Sequence, residues 1–502
     1  MNKAKITFNA LSAIIQVVIV GIVYLILYKY VLTQIGVKLF GVWSLIIATT
    51  SVASLANLGI GSSIVKFVST YSVRKRKDLI IKLIFTSLIF ILTTYSLISL
   101  IIYFFGIRLL HFIIEDDYIN IAMTIMPFSL ISLILNATSS VFNSAIDGIQ
   151  KNYIKSNVII LSSIILLFLS ILLTAKFGIL GLVYAQIGQS IFVLFSTIFF
   201  YIKLFQISLK FRWNWDSAIF KEIINYGLKV QAASILEMTF EPITKFLLAK
   251  FGGLTMVGYY EMASRLAVQL RSLIVSGIQV IIPVIAEEKE NNPSKIINIY
   301  FNLFSIVLYL NILLVTFIIV SAPVVSLVWI GHLESIFVNI LIISSTSMFF
   351  NISSSPAYFY YMGEGKLNWI VKSILISFLA NILLGYLLGL NFGGIGVVIA
   401  FNIALVLHAV LLLSAFHKFK EINIRDLISH NDLKLFFSSI IFIIFSNYMF
   451  NSIINNSSTS MQIILYLLSL SVFVFYALNN NTSKALRTLI LKLFMGVYSK
   501  NG

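Results

Sequence analysis

Long apolar runs separated by short polar breaks repeat along nearly the whole chain. Read by run and break, they predict helices at about 6–33, 37–65, 79–105, 119–145, 156–175, 179–202 and 223–248. Seven more follow at about 257–283, 296–320, 337–361, 367–389, 393–416, 435–452 and 461–478. Nearly all are long enough for the hydrocarbon layer, which takes ~20 apolar residues per helix. Fourteen is even, so both termini are expected on one side. The stretch behind the basic start, Met1-Asn2-Lys3-Ala4-Lys5, is too long for a signal-peptide core and reads as the first membrane helix.

Composition agrees with the pattern. Of 502 residues, 59% are hydrophobic and 11% charged, with a mean hydropathy of +1.01, whereas soluble domains carry about 25% charged residues. A soluble enzyme is excluded. The fold class is all-α integral membrane. With no cysteine there is no disulfide, thiolate site or Fe–S cluster, and the five histidines, His111, His332, His408, His417 and His430, are scattered. In a membrane protein the net charge of +17 reports topology before it reports nucleic acid, and no nucleic-acid partner is expected.

Cytoplasmic loops hold an excess of Lys and Arg. One set of loops and tails carries 26 of the 35 basic residues; the other carries Lys29, Lys38, Arg108, Lys176 and Lys250. Both termini of this multi-pass membrane protein are therefore expected in the cytoplasm. The Arg74-Lys75-Arg76-Lys77 run is accounted for as a topology anchor, with membrane lipid headgroups as a further partner.

The chain also repeats itself. Phe177-Gly178-Ile179-Leu180-Gly181-Leu182-Val183-Tyr184-Ala185 returns as Phe392-Gly393-Gly394-Ile395-Gly396-Val397-Val398-Ile399-Ala400, an offset of 215. The same offset pairs Ser129 with Ser344, Ser132 with Ser347, Asn136 with Asn351 and Gly148 with Gly363. An offset of 217 sets Gly41-Val42-Trp43-Ser44-Leu45 beside Gly258-Tyr259-Tyr260-Glu261-Met262. The expected organisation is two six-helix lobes, 1–222 and 223–433, with an appended helix pair and tail at 434–502. Parallel repeats of this kind place a substrate path at their interface.

Polar positions inside the predicted helices supply the candidate chemistry. Ser129, Ser132, Asn136, Ser140 and Asn143 form one stripe of the fourth helix, and Ser344, Ser347, Asn351, Ser355 and Tyr358 repeat it in the tenth. Such stripes serve either as interhelical glue or as cavity lining. An ionisable group at mid-bilayer costs at least ~2.5–3.5 kcal/mol on insertion scales and is a site hypothesis by default. Lys229, Glu237, Glu241 and Lys245 lie in the seventh helix, and Glu261, Arg265 and Arg271 in the eighth. Glu241 with Lys245 and Glu261 with Arg265 are i, i+4 pairs that packing alone would explain. Arg271 and Glu237 lie outside those pairs, near their helix midpoints. A guanidinium, permanently charged and able to fork onto phosphate, suits an anionic substrate. Arg271, Arg265, Lys229, Lys245, Asn136, Asn351 and Tyr358 are the candidate substrate contacts. Glu237 and Glu241 are candidates for coupling to a proton or sodium gradient, and no cofactor is called for.

No enzyme signature competes with these readings. A Walker A segment is absent, Gly59-Ile60-Gly61 lacks the third glycine of a dinucleotide fingerprint, and the longest loops span only about twenty residues.

Gly36-Val37-Lys38-Leu39-Phe40-Gly41-Val42-Trp43-Ser44-Leu45, followed by Leu55-Ala56-Asn57-Leu58-Gly59-Ile60-Gly61-Ser62-Ser63-Ile64-Val65-Lys66-Phe67-Val68-Ser69, resembles the start of bacterial polysaccharide flippases of the Wzx or O-antigen type. Similar turns recur at Gly148-Ile149-Gln150-Lys151, Gly258-Tyr259-Tyr260 and Val328-Trp329-Ile330-Gly331. The resemblance implies the multidrug/oligosaccharidyl-lipid/polysaccharide exporter fold. It implies transfer of an undecaprenyl-diphosphate-linked oligosaccharide to the periplasmic leaflet, beside a repeat-unit polymerase and a chain-length regulator. A cationic lumen, implied likewise, could be supplied by Arg265, Arg271, Lys229 and Lys245. Two alternatives stay open: a cation-coupled drug exporter of the same fold, and a non-transporting scaffold of a glycan-assembly complex. Residues 6–33 contain no Asp or Glu, which weighs against exporters that use an acid in the first helix.

Overall fold

The computed structural model describes residues 3–112, 114–206, 215–278, 293–364 and 366–454, together with 285, 471, 473 and 474. Among these the chain is all helical, with no strand. Twelve helices follow in order: α1 Lys3–Ser51, α2 Ile60–Val73, α3 Lys77–His111, α4 Asp116–Gly148, α5 Asn152–Phe177, α6 Ile179–Phe205, α7 Ser217–Ile278, α8 Pro293–Trp329, α9 Ser335–Glu364, α10 Asn368–Lys420, α11 Ile424–Leu427 and α12 His430–Ile454. A short 3-10 segment, Val52–Asn57, joins α1 to α2.

Nine of the described helices are long and apolar enough to cross a membrane. The fourteen runs read from the sequence map onto fewer elements because three helices continue through two runs each. α1 passes Gly36, α7 passes Gly253 and α10 passes Gly393, and at each the backbone leaves helical geometry. α7 is not among the nine, and the expected run at 461–478 lies almost wholly outside the described residues.

The interrupting glycines carry the internal repeat into three dimensions. Gly36 (φ 76, ψ 168) and Gly253 (φ 73, ψ 178) stand 217 apart and share one conformation. Gly178 (φ 57, ψ −135) and Gly393 (φ 61, ψ −147) stand 215 apart and share another. These backbone angles are essentially open to glycine alone. Three residues beyond the second pair, a Cβ on Gly181 would run into the Leu173 carbonyl and one on Gly396 into the Leu388 carbonyl. Those contacts obey the same offset, so the two tight hairpins are built alike.

Large apolar side chains point outward along the spans, among them Leu97, Phe104, Phe168, Phe195, Leu383 and Ile441. Exposed apolar surface on this scale is what lipid covers. Inside, hydroxyls close on carbonyls one turn back, as in Ser129 to Ile125 (3.1 Å) and Thr316 to Ile312 (2.7 Å), which removes otherwise costly polar groups from the interior. The chain divides into two compact units. The first comprises Leu11–Glu261 and Asn381–Val397; the second comprises Met1–Ala10, Met262–Ala380 and Val398–Gly502. The first unit thus holds the whole first repeat from Leu11 and also the opening of the second.

Candidate functional site

Within the first unit a charged centre forms on α1 and α7. Lys245 is buried, with its side chain 3% exposed, and its Nζ donates to Glu261 Oε2 at 2.6 Å and to Glu241 Oε1 at 2.8 Å. Glu261 is equally buried. It receives two more donors, Tyr28 Oη on Oε1 at 2.9 Å and Ser44 Oγ on Oε2 at 3.1 Å. The ammonium facing the carboxylate is what makes the burial of either charge tolerable. Glu241 differs from Glu261: it is 55% exposed on its side chain and meets the centre through Lys245. Two carboxylates around one ammonium leave the trio one negative charge in excess when all three are ionised.

The structure brings Lys245, Tyr28 and Ser44 to Glu261. Tyr28 was not among the candidates. The signal for it lay in the repeat, because the offset of 217 that pairs Ser44 with Glu261 also pairs Tyr28 with Lys245. Tyr28 is also wrapped by aromatic rings, with Phe40 at 5.0 Å and Trp43 at 6.5 Å between centroids. Glu237, one turn before Glu241 on α7, is exposed. Lys229 lies on α7 with a side chain outside those described. Asn136 on α4 donates to Ser190 Oγ of α6 at 3.0 Å.

A different centre lies within the second unit. Arg271 on α7 is half-buried, and its Nε donates to Asn351 Oδ1 on α9 at 2.7 Å. That bond fixes the plane of the guanidinium. Tyr358 packs one to two turns further along α9 against a cluster that includes Ile274, Val275 and Ile278 of α7. Arg265 is half-buried two turns before Arg271 on the same helix. His408 of α10 lies within reach of the Ser373 backbone and of the Arg271 charge, and its buried Nδ1 has no hydrogen-bond partner among the described residues. Nothing in the scattered spacing of the histidines signalled it. The polar stripe of α9 also reaches α10, where Ser347 and Asn402 are bonded. Glu237 and Glu241 therefore belong to the first unit, Arg265 and Arg271 to the second. Among the described residues no group of His, Asp and Glu could hold a metal ion.

Residues 4–289 match the sequence profile of a family described as polysaccharide biosynthesis protein. The chain belongs to that family. Its fold is similar to that of the lipid II flippase MurJ in an inward closed conformation, with a TM-score of 0.70 and 16% identity over 93% of this chain and 98% of MurJ. An inward-facing multidrug resistance MATE transporter of the MOP superfamily is also similar, with a TM-score of 0.63 and 16% identity over 82% of this chain and 99% of that one. A Vibrio cholerae MATE transporter follows at 0.63, with 14% identity over 84% and 98%. No curated protein sequence matches. This member of the polysaccharide biosynthesis family thus has the MurJ and MATE transporter fold and is a multi-pass membrane protein.

Proposed function

We propose that the protein is a flippase that carries a polyprenyl-diphosphate-linked oligosaccharide, a repeat unit of a surface polysaccharide such as O-antigen, from the cytoplasmic to the outer leaflet of the bacterial inner membrane. The lobes 1–222 and 223–433 rock about the repeat axis, with 434–502 appended. The observation that carries the reading is Arg271, a half-buried permanent cation on α7 of a polysaccharide-family chain, whose Nε is held by Asn351. A planar fork held this way meets two phosphate oxygens at once, which a flexible ammonium does not. Arg265 and the imidazole of His408 extend the same anion-binding surface, and Asn351 and Tyr358 stand beside it for the first sugars. Lys245, whose charge is taken by two carboxylates, acts on the cargo only through the combined field of that trio. A polymerase and a chain-length regulator acting on the product complete the assignment.

The test is transbilayer movement in proteoliposomes, using a fluorescent polyprenyl-diphosphate oligosaccharide, the corresponding monophosphate and a cationic dye. Movement of the diphosphate alone is the expected result. Movement of the dye with none of the diphosphate would replace this reading with cation-coupled export, which Glu237 and Glu241 would serve. No movement of either by a well-folded protein would favour the scaffold.

A further inference from the structure

The residues at the first charged centre are related by the repeat. Tyr28 and Lys245 occupy equivalent positions, and so do Ser44 and Glu261, each pair 217 residues apart. The backbone beside them obeys the same relation: a Cβ on Gly41 would strike the Leu254 carbonyl, and one on Gly258 would strike the Val37 carbonyl, where 41 answers 258 and 37 answers 254. Two copies of one element therefore press glycine against backbone reciprocally, and at the centre of that seam one copy supplies a carboxylate and an ammonium where the other supplies two hydroxyls. Some 20 residues away along α7, about 30 Å at helical rise, the first repeat meets the second again. There Ser63 Oγ donates to the Ile223 carbonyl at 2.8 Å, and Gly59 lies against Gly227. That contact uses a neutral hydroxyl and backbone only.

We propose that Glu261 is the locking residue of the seam between the repeats on the face where the Gly36 and Gly253 turns lie, and that it is released and re-made in each transport cycle. The three donors on its carboxylate divide by origin. Lys245 comes from its own repeat, whereas Tyr28 and Ser44 come from the other. When the repeats part, Glu261 leaves two neutral hydroxyls and keeps its ammonium, so neither state contains a stranded charge. Had the first repeat carried a second ion pair in place of Tyr28 and Ser44, opening would separate four charges; had it carried only apolar groups, closure would have no direction. Glu261 is a positioning residue that touches no cargo, and Lys245 serves it as a permanent counterion. Glu241, on the exposed side of Lys245, keeps the ammonium neutralised if Glu261 shifts.

The proposal rests on transport by separation of the repeats and is indifferent to what is carried, so its test reads opening rather than flux. The chain has no native cysteine, which makes single reporters clean. Leu254→Cys on the seam and Leu166→Cys in the interior of α5, both buried, are exposed to an impermeant maleimide from the face on which Ser335→Cys is labelled. Adding Tyr28→Phe with Ser44→Ala removes two hydrogen bonds to a charged group, and the seam reporter is expected to react about tenfold faster or more while the Leu166 reporter is unchanged. Lys245→Met with Glu261→Gln, which removes both charges together, should move the seam reporter in the same direction. An unchanged seam rate in both backgrounds overturns the lock, and so does equal acceleration at Leu166→Cys, which would mean general loosening. Failure of the unaltered protein to flip the diphosphate oligosaccharide, with the labelling result intact, would strike the assignment of cargo instead.

Discussion

Lys245 and Arg271 are two cations on one helix, and their surroundings assign them different work. Lys245 is sealed from solvent and held by two carboxylates at 2.6 and 2.8 Å. Arg271 is half-buried and gives its Nε to a neutral amide. The first arrangement consumes charge; the second orients it. A buried ion pair adds little net stability over well-packed apolar side chains, but removing one partner is expensive. A guanidinium oriented by an amide presents a defined pair of N–H donors to a ligand. An inventory of charges in membrane helices cannot separate these roles, because both residues score alike by type and depth.

The largest effect that would break the comparison is expected at Lys245. Lys245→Met strands Glu261 and should cost about 3–5 kcal/mol, read as a large drop in melting temperature in detergent, whereas Lys245→Met with Glu261→Gln should recover most of it. A single variant as stable as the double would mean that the centre is not held by its ion pair. Next in size is Arg271. Arg271→Ala should weaken diphosphate binding and flipping about tenfold to a hundredfold with normal insertion and melting, and Arg271→Lys should retain part of the activity. Full activity in Arg271→Ala would return this residue to simple packing.

A smaller effect separates the acids of α7. Glu241→Gln and Glu237→Gln keep shape and lose charge, so the pH or sodium dependence of transport should move by more than the affinity for cargo does. Profiles that coincide with the wild type in both variants, singly and together, would remove carboxylate coupling and leave Glu241 as a partner of Lys245.

The smallest effect lies outside the membrane, at the start of α7. The Ile219 and Ala218 amides donate to Asp216 Oδ1 at 3.2 and 3.1 Å, with Lys82 at 3.6 Å, and together they outweigh partial desolvation and hold the carboxyl below its usual value. A group whose folded pKa is lowered contributes fully above its unfolded pKa, and that contribution disappears as pH falls through the folded value. Hydrogen exchange at the first turn of α7 should therefore quicken only below about pH 4 in the wild type, and at all pH values in Asp216→Asn. Equal protection in both proteins at neutral pH would show that the charge is not what caps the helix.

Much of the architecture was legible because lipid imposes it. Helix type and placement follow from apolar length, and the positions of the interrupting glycines follow from a repeat visible in the letters around Gly178 and Gly393. The continuity of α1, α7 and α10 was not legible, since a single glycine turns the chain without any polar loop to mark it. At the charged centre the i, i+4 spacing of Glu241 and Lys245 was readable. The two hydroxyls on Glu261 were not, because helical spacing reports neighbours on one helix, whereas Tyr28 and Ser44 arrive from another. His408 shows the same limit: its place near Arg271 depends on how α10 packs, and no local pattern encodes that.

The paired hairpins at Gly178 and Gly393 bear on how the chain is made. A turn confined to one glycine, with Gly181 pressed on the Leu173 carbonyl and Gly396 on that of Leu388, leaves almost no hydrophilic peptide to be pushed through the bilayer during synthesis. Lys176 is the only charged residue near the first turn, and the second has none within ten residues on either side. Each hairpin can therefore leave the insertion machinery sideways as a finished two-helix wedge, as soon as its second arm emerges from the ribosome.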